Sequence, residues 1–148
     1  MRLLDGDIEK RYFIFSLGNR SFGISIREVV KVVLVEKVFM APLLSDFVLG
    51  FIVHQGEPIP YLSLKRRLGL KEDERGDMAL LVKVGDETFG LSIDGDYEVI
   101  QLELDPAPLP PEFKGVVKKY FRARAEQKDR RFIILDVGAL VVADRQLQ

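Results

Sequence analysis

The stretch from Tyr12 to Val33, YFIFSLGNRSFGISIREVVKVV, recurs as Ala79 to Ile100, ALLVKVGDETFGLSIDGDYEVI. Setting Gly18 on Gly85 gives an offset of 67 (85 − 18). Phe22 then falls on Phe89, Gly23 on Gly90, Ser25 on Ser92, Ile26 on Ile93 and Val32 on Val99. A unit this long, written twice, is one supersecondary unit used twice, so the fold must contain two related parts.

Each copy carries its own physical logic. An apolar run rich in branched and aromatic side chains comes first, Phe13-Ile14-Phe15 with Leu17, or Leu80-Leu81-Val82 with Val84. Such a run predicts a strand with at least one buried face. The polar turns Gly18-Asn19-Arg20-Ser21 and Gly85-Asp86-Glu87-Thr88 follow, and a glycine that accepts positive φ there makes each a hairpin. Alternation then takes over, with Phe22, Ile24 and Ile26 on one face and Gly23 and Ser25 on the other, as a half-buried strand requires. Gly23 and Gly90, inside strands, predict a bulge or a close approach of backbone. A third strand, Val29 to Val35 or Tyr97 to Leu104, closes each unit.

At 148 residues, with 47% hydrophobic and 30% charged residues, the chain has the material for a core and for a soluble surface. A net charge of −1 gives no general pull toward nucleic acid or anionic lipid. The absence of cysteine removes disulfides and thiolate metal sites and fits a reducing compartment. The acidic start MRLLDGDIEK lacks the apolar centre of a signal peptide, and no apolar stretch approaches the ~20 residues of a membrane span. A cytoplasmic protein without direct membrane insertion is expected.

Further along, Pro42 interrupts strand pairing, and Leu43 to Phe47 reads as a turn or short helix. Val48 to Pro60 reads as two strands around the loop His54-Gln55-Gly56-Glu57. Ser63 to Gly69 carries a helix signal, with Ser63 as cap, basic residues toward the end and Gly69 as stop. Lys71 to Asp77 reads as a linker. Asp105 to Pro111 is a stiff proline-rich connection. Gly115 to Ala125 reads as strand, Gln127 to Arg130 as a turn, Phe132 to Leu135 as a buried strand, and Asp136 as the cap of a last short helix. Pro58 to Leu64 lies on Arg131 to Val137 at an offset of 73 (136 − 63), six residues more than before, which the proline-rich insertion accounts for. The expected architecture is mainly β. Two tandem five-stranded, SH3-like β-barrel subdomains, closed or nearly closed, pack together, each with a short helix. The halves are about 11–70 and 78–142, with exchange of end segments between them allowed.

Catalytic groups are scarce. His54 is the single histidine and reads as a loop residue. Asp5-Gly6-Asp7 is a fragment of a calcium loop without its later ligands. No Gly-x-Ser-x-Gly elbow, phosphate loop or dinucleotide fingerprint is present. Asp94, Asp96 and Glu98 read as a solvated turn and strand face. No cofactor, metal or catalytic residue is expected, and the chain reads as a non-enzyme. The segment Lys118 to Arg131 has seven basic residues against two acidic ones, with Tyr120 and Phe121 between them. It is a candidate single-strand nucleic-acid surface, or an outward strand face plus hairpin tip on which Tyr120, Arg122 and Arg124 alternate with Phe121, Ala123 and Ala125.

The order and spacing of several segments resemble the CheW-like chemotaxis coupling proteins. They are Tyr12 to Gly18, Phe22-Gly23-Ile24, Ile26 with Val29 and Val32, Phe47-Val48-x-Gly50, Gly56-x-Pro58-Ile59-Pro60, Leu62-x-Leu64 and Phe132 to Asp136. The similarity runs over residues 11 to 142. It implies a tandem of two five-stranded barrels and a non-enzymatic adaptor. Such an adaptor bridges the cytoplasmic tips of methyl-accepting chemoreceptors to the regulatory domain of a CheA-type histidine kinase, itself CheW-like.

By resemblance, Val29, Lys31 and Val32 face the kinase, while Gly50, Gln55, Asp96 and Val99 face the receptor. Three of these depart from the family's pattern. Gln55 stands where a receptor-facing Arg is usual, which removes a planar cation with five donors. Lys31 stands where an acidic residue is common, and Asp96 where an apolar one is. A diverged scaffold of another chemosensory or surface-motility pathway is the alternative that these departures raise.

Overall fold

The repeated hairpin is present in both places, and it joins the rest of the chain crosswise. The structure, a computed structural model, describes residues 8–40, 45–71, 76–105 and 116–142. The calcium-loop fragment, the linker's centre and the proline-rich run lie outside them. Ten strands follow in order: β1 Arg11–Leu17, β2 Arg20–Ser25, β3 Val29–Leu34, β4 Val48–His54, β5 Glu57–Ser63, β6 Met78–Val84, β7 Glu87–Ile93, β8 Tyr97–Gln101, β9 Phe121–Gln127 and β10 Arg130–Leu135. A 3-10 turn spans Ile26–Glu28, and three short helices are α1 Leu64–Arg67, α2 Val116–Tyr120 and α3 Val137–Val141.

Two five-stranded sheets form, with orders β8-β1-β2-β10-β9 and β3-β6-β7-β5-β4. Adding one repeat to each label turns the first order into the second. Each sheet thus takes its central hairpin from one repeat and its three flanking strands from the other. The chain crosses from the first sheet to the second after β2, through the 3-10 turn, and back after β7, through Asp94 to Asp96. Neither sheet is a closed barrel. The ends of each order meet only through an isolated bridge, Phe39 with Phe51 in the second sheet and Asp105 with Arg124 in the first.

The swap explains why the opening strands read as continuous apolar runs. Period two sends Tyr12 and Ile14 into the concave side of the first sheet, with Phe132 and Ile134. Phe13, Phe15 and Leu17 point the other way, into a seam shared with Leu80, Val82 and Leu91 of the second sheet. Ala79 and Leu81 join Ile52, Ile59 and Tyr61 inside that second sheet. Both faces of β1 and β6 are therefore buried, a pattern usual for the centre of layered sheets. Gly23 shows the close approach expected of it, since a Cβ there would lie 2.6 Å from Ile14 Cδ1 and 2.9 Å from Ile134 Cδ1.

Local devices repeat with the strands. Leu49 and Arg122, 73 apart, are the extra residues at matching bulges of β4 and β9. The turns Gln55-Gly56 and Lys128-Asp129 both carry positive φ at both central residues, as a type I′ hairpin requires. Ser63 Oγ accepts from Arg66 N–H at 3.2 Å, and an Asp136 carboxylate oxygen from Ala139 N–H at 3.1 Å. These are the two helix caps expected from the sequence. One expectation is corrected. Val116–Tyr120 is helix, and the strand begins only at Phe121. Packing overrides the β-branched valines here: the helical turn carries Tyr120 into the seam core, and its carbonyl accepts from Asp136 N–H at 2.8 Å.

Candidate partner-binding surfaces

Each sheet ends on two strands, β8 and β9 in the first and β3 and β4 in the second, and five of the seven candidate residues lie on or beside the swapped outer strands β3 and β8. On β3, the cap of the preceding turn comes first: Ser25 Oγ accepts from Arg27 N–H at 3.2 Å. The chain then bulges at Val30, so that Val29 faces Val82 while Lys31 faces Leu81. Val29 and Val32 rest half-buried against the seam core. Lys31 is exposed, and on the same strand Val30 and Leu34 are 48% and 62% exposed.

On β8, Asp96 is exposed ahead of the strand, and Tyr97 and Val99 are each 47% exposed. Tyr97 lies flat over Phe13, with centroids 5.1 Å apart and planes at 20°. Large apolar groups left at an edge strand mark a surface that another chain can cover. Glu98 between them accepts from Arg130 at 2.6 Å.

Gly50 and Gln55 sit apart from Asp96 and Val99, in the other sheet. Gly50 is buried at the bulge of β4 with φ 141°, and a Cβ there would collide with the Phe39 carbonyl oxygen. Its place is in packing, where it lets the Phe39 bridge approach. Gln55 is exposed at the tip of the β4–β5 turn, in the left-handed region at φ 53°.

The carboxylates split in a way the sequence did not show. Asp94 accepts from Gly18 N–H at 3.1 Å and pairs with Lys65 Nζ at 3.3 Å. One side chain therefore ties the β1–β2 turn of the first sheet to α1 of the second. Sequence reasoning missed Arg67 altogether. This buried guanidinium donates to Leu140 O at 2.9 Å and Val142 O at 2.6 Å, and sits 3.8 Å from the Phe47 ring centroid and 4.9 Å from that of Tyr120. It fastens α1 to the end of α3. With Asp94, it holds the two sheets at one angle. A cation buried among apolar residues leaves no periodic signal in a sequence.

Glu28 was also missed. It lies at the first crossover, with Oε1 buried and no hydrogen-bond partner among the described residues. Burial pushes its carboxyl above the usual range, Arg122 pulls it back, and Asp136 pushes it up again.

Three of the seven basic residues of the basic segment are paired with carboxylates. Arg124 pairs with Asp105 at 3.7 Å, Arg130 with Glu98, and Arg131 with Glu126 at 3.3 Å. Tyr120 is buried, so it is not on the outward face with Arg122 and Arg124 and offers no platform for a base. Among the described residues no cluster of three His, Asp or Glu side chains forms a metal site, and no helix is long and apolar enough to cross a membrane.

Comparison with known proteins places this geometry. The family model described as a CheW-like domain matches residues 11–145. The "Chemotaxis protein CheW" of Treponema pallidum is 30% identical over 141 residues, covering 90% of this chain and 82% of that one. The protein of the same name from Helicobacter pylori is 27% identical over 145 residues, covering 95% and 86%. The crystal structure of the scaffolding protein TtCheW from Thermoanaerobacter tengcongensis superposes with a TM-score of 0.81 at 25% identity, over 92% of this chain and 94% of that one. Two crosswise five-stranded sheets, exposed apolar edges and a match across nearly the whole length agree, and the chain belongs to the CheW-like family of chemotaxis scaffold proteins.

Proposed function

We propose that this protein is a non-enzymatic cytoplasmic adaptor that couples the tips of methyl-accepting chemoreceptors to a CheA-type histidine kinase. One observation carries the reading: two open edge strands, each with exposed apolar side chains, belong to sheets tied together by Arg67 and Asp94. The functional unit runs over residues 11–142, and its halves, about 11–70 and 78–142, exchange their end segments. The β3 edge, with Val29, Lys31 and Val32, receives the regulatory domain of the kinase. The β8 edge, with Asp96 and Val99, receives the helical receptor tip, whose apolar stripe covers Tyr97 and Val99. Gln55, exposed at the tip of a hairpin in the other sheet, is assigned to the receptor by resemblance alone, as is Gly50, whose packing under the Phe39 bridge holds β4 in place.

Coupling of this kind requires no reacting group. Receptor state reaches the kinase through differential affinity of the bridged states. Each contact is small, as in transient signalling complexes. The test is calorimetric titration of the purified protein with a kinase regulatory domain, with a receptor cytoplasmic fragment, and with both. Saturable binding to each and a ternary complex are expected. Failure to bind either would overturn the proposal.

A further inference from the structure

Among the described residues the strand ladders divide evenly. Four are hairpins made within one half of the chain, β1–β2 and β4–β5 in the first half, β6–β7 and β9–β10 in the second. The other four, β1–β8, β2–β10, β3–β6 and β5–β7, each pair a strand of residues 11–70 with one of residues 78–142. The core divides in the same way: Phe13 packs in one cluster with Leu80, Ile14 with Phe132, and Ile59 with Leu81. Either half by itself is two hairpins and an unpaired strand, and an isolated hairpin is marginal in water. The fold is therefore a complex of two halves that share one chain.

The buried and bridging polar ties also run between the halves. Arg67 of the first half donates to Leu140 and Val142 of the second, and Asp94 of the second accepts from Gly18 and pairs with Lys65 of the first. One covalent connection joins the halves, Lys71 to Asp77, in which six of the seven residues are charged. Its two ends lie close together. Leu70 N–H donates to Lys65 O at 2.7 Å, a Cβ on Gly76 would lie 3.0 Å from Ile93 O, and Lys65 Nζ is 3.3 Å from the Asp94 carboxylate. Seven residues reach about 25 Å when extended, long enough to lead into a neighbouring unit instead.

We infer that a second copy of this chain can supply either half, giving a reciprocally exchanged dimer of two complete units, each built from strands of both chains. Away from the connection, such an exchange keeps every contact of the monomer and adds none, which is why it costs little. Concentration during folding then selects the form. A short connection holds each half at an effective concentration of order 1 mM for the other, so the closed monomer prevails well below it. Once formed, the dimer persists on dilution, because reversing it means opening four ladders and all three core clusters. No outer edge is consumed, so two units are joined with every open edge still free. The exchange does not rest on the adaptor reading; in an adaptor it would double the edges presented to partners.

The chain has no cysteine, so the test introduces two. Arg11 and Gln101 are exposed partners across the β1–β8 ladder. Full chains carrying Arg11→Cys or Gln101→Cys are mixed, unfolded in urea, refolded together at concentrations far below and of order 1 mM, and oxidised with glutathione disulfide. A single chain carrying both substitutions, refolded dilute, should close the bridge within itself and shows that the geometry allows it. The concentrated mixture should give a mixed disulfide-linked dimer. The dilute mixture, and chains folded separately before mixing, should give none. The native chain refolded concentrated should sediment as a dimer that keeps its mass on dilution. Where concentrated refolding aggregates, the folded mixture is held at its urea midpoint to exchange halves, and the same readings apply. Monomer at every concentration, or no mixed disulfide while the double variant closes its own, overturns the inference. So does a dimer that forms from folded chains and dissociates on dilution, which is pairing at an open edge. None of these outcomes touches the adaptor reading, which is decided by binding of kinase and receptor.

Discussion

Replacing Arg67 by Met removes the guanidinium while keeping most of the side-chain volume. Two charge-assisted hydrogen bonds disappear, and with them the contacts to the Phe47 and Tyr120 rings. The Leu140 carbonyl, whose bond is buried, is left without that donor, at a cost of about 1–3 kcal/mol. The Val142 carbonyl is only partly buried and recovers some of its loss from water. Lost stacking on two rings adds about 1–2 kcal/mol. Relief from burying a charge works in the opposite direction, because desolvating an ion carries its own penalty of several kcal/mol. The net expectation is a loss of about 1–2 kcal/mol, within the range of ordinary substitutions. For a chain of this size that lowers Tm by roughly 3–6 °C. Urea unfolding should show a lower midpoint with an unchanged slope. Arg67→Lys keeps the charge without the planar fork and should fall between the two. A Met variant as stable as the native chain would refute the argument that this residue clamps the two sheets.

Gly50→Ala should destabilise by about 2–4 kcal/mol in chemical denaturation, since it combines a glycine-type backbone with a collision at Phe39 O. Lost partner binding in that variant should follow its unfolding. Gln55→Asn should stabilise by about 0.5–1 kcal/mol, because Asn accepts the left-handed first position of a type I′ turn more readily. Glu28 gives a pH dependence of definite sign. Its folded carboxyl binds a proton more tightly than the unfolded one, so stability falls as pH rises from the ordinary glutamate range through the raised folded value. Below that window both states are protonated and no penalty remains. Glu28→Gln should remove that dependence, as urea unfolding across pH 4 to 7 will show.

Much of this fold was legible because it is written in periodicity and repetition. The offsets of 67 and 73 are read by matching residue types alone, and the hairpin turns at Gly18 and Gly85 and the caps Ser63 and Asp136 depend on residues near one another in sequence. Val116 to Tyr120 was not legible, because its conformation is decided by where Tyr120 is buried. Of the candidate surfaces, β3 and β8 were legible as strands. Their character as edges was not, since a strand becomes an edge only by what pairs with it.

The amino-acid sequence alone determined the strands, the duplicated unit and the scarcity of reactive groups, all of which follow from local pattern and residue type. Tertiary structure alone decided which repeat lends its flanking strands to which hairpin, which carboxylate meets which cation, and that Gly50 serves packing. Those outcomes depend on contacts between residues tens of positions apart. Arg67 reaches Leu140, Asp94 reaches Gly18, and Glu98 meets Arg130. Such pairings arise only when the chain has crossed twice between the sheets and brought those groups within a hydrogen bond's length of each other.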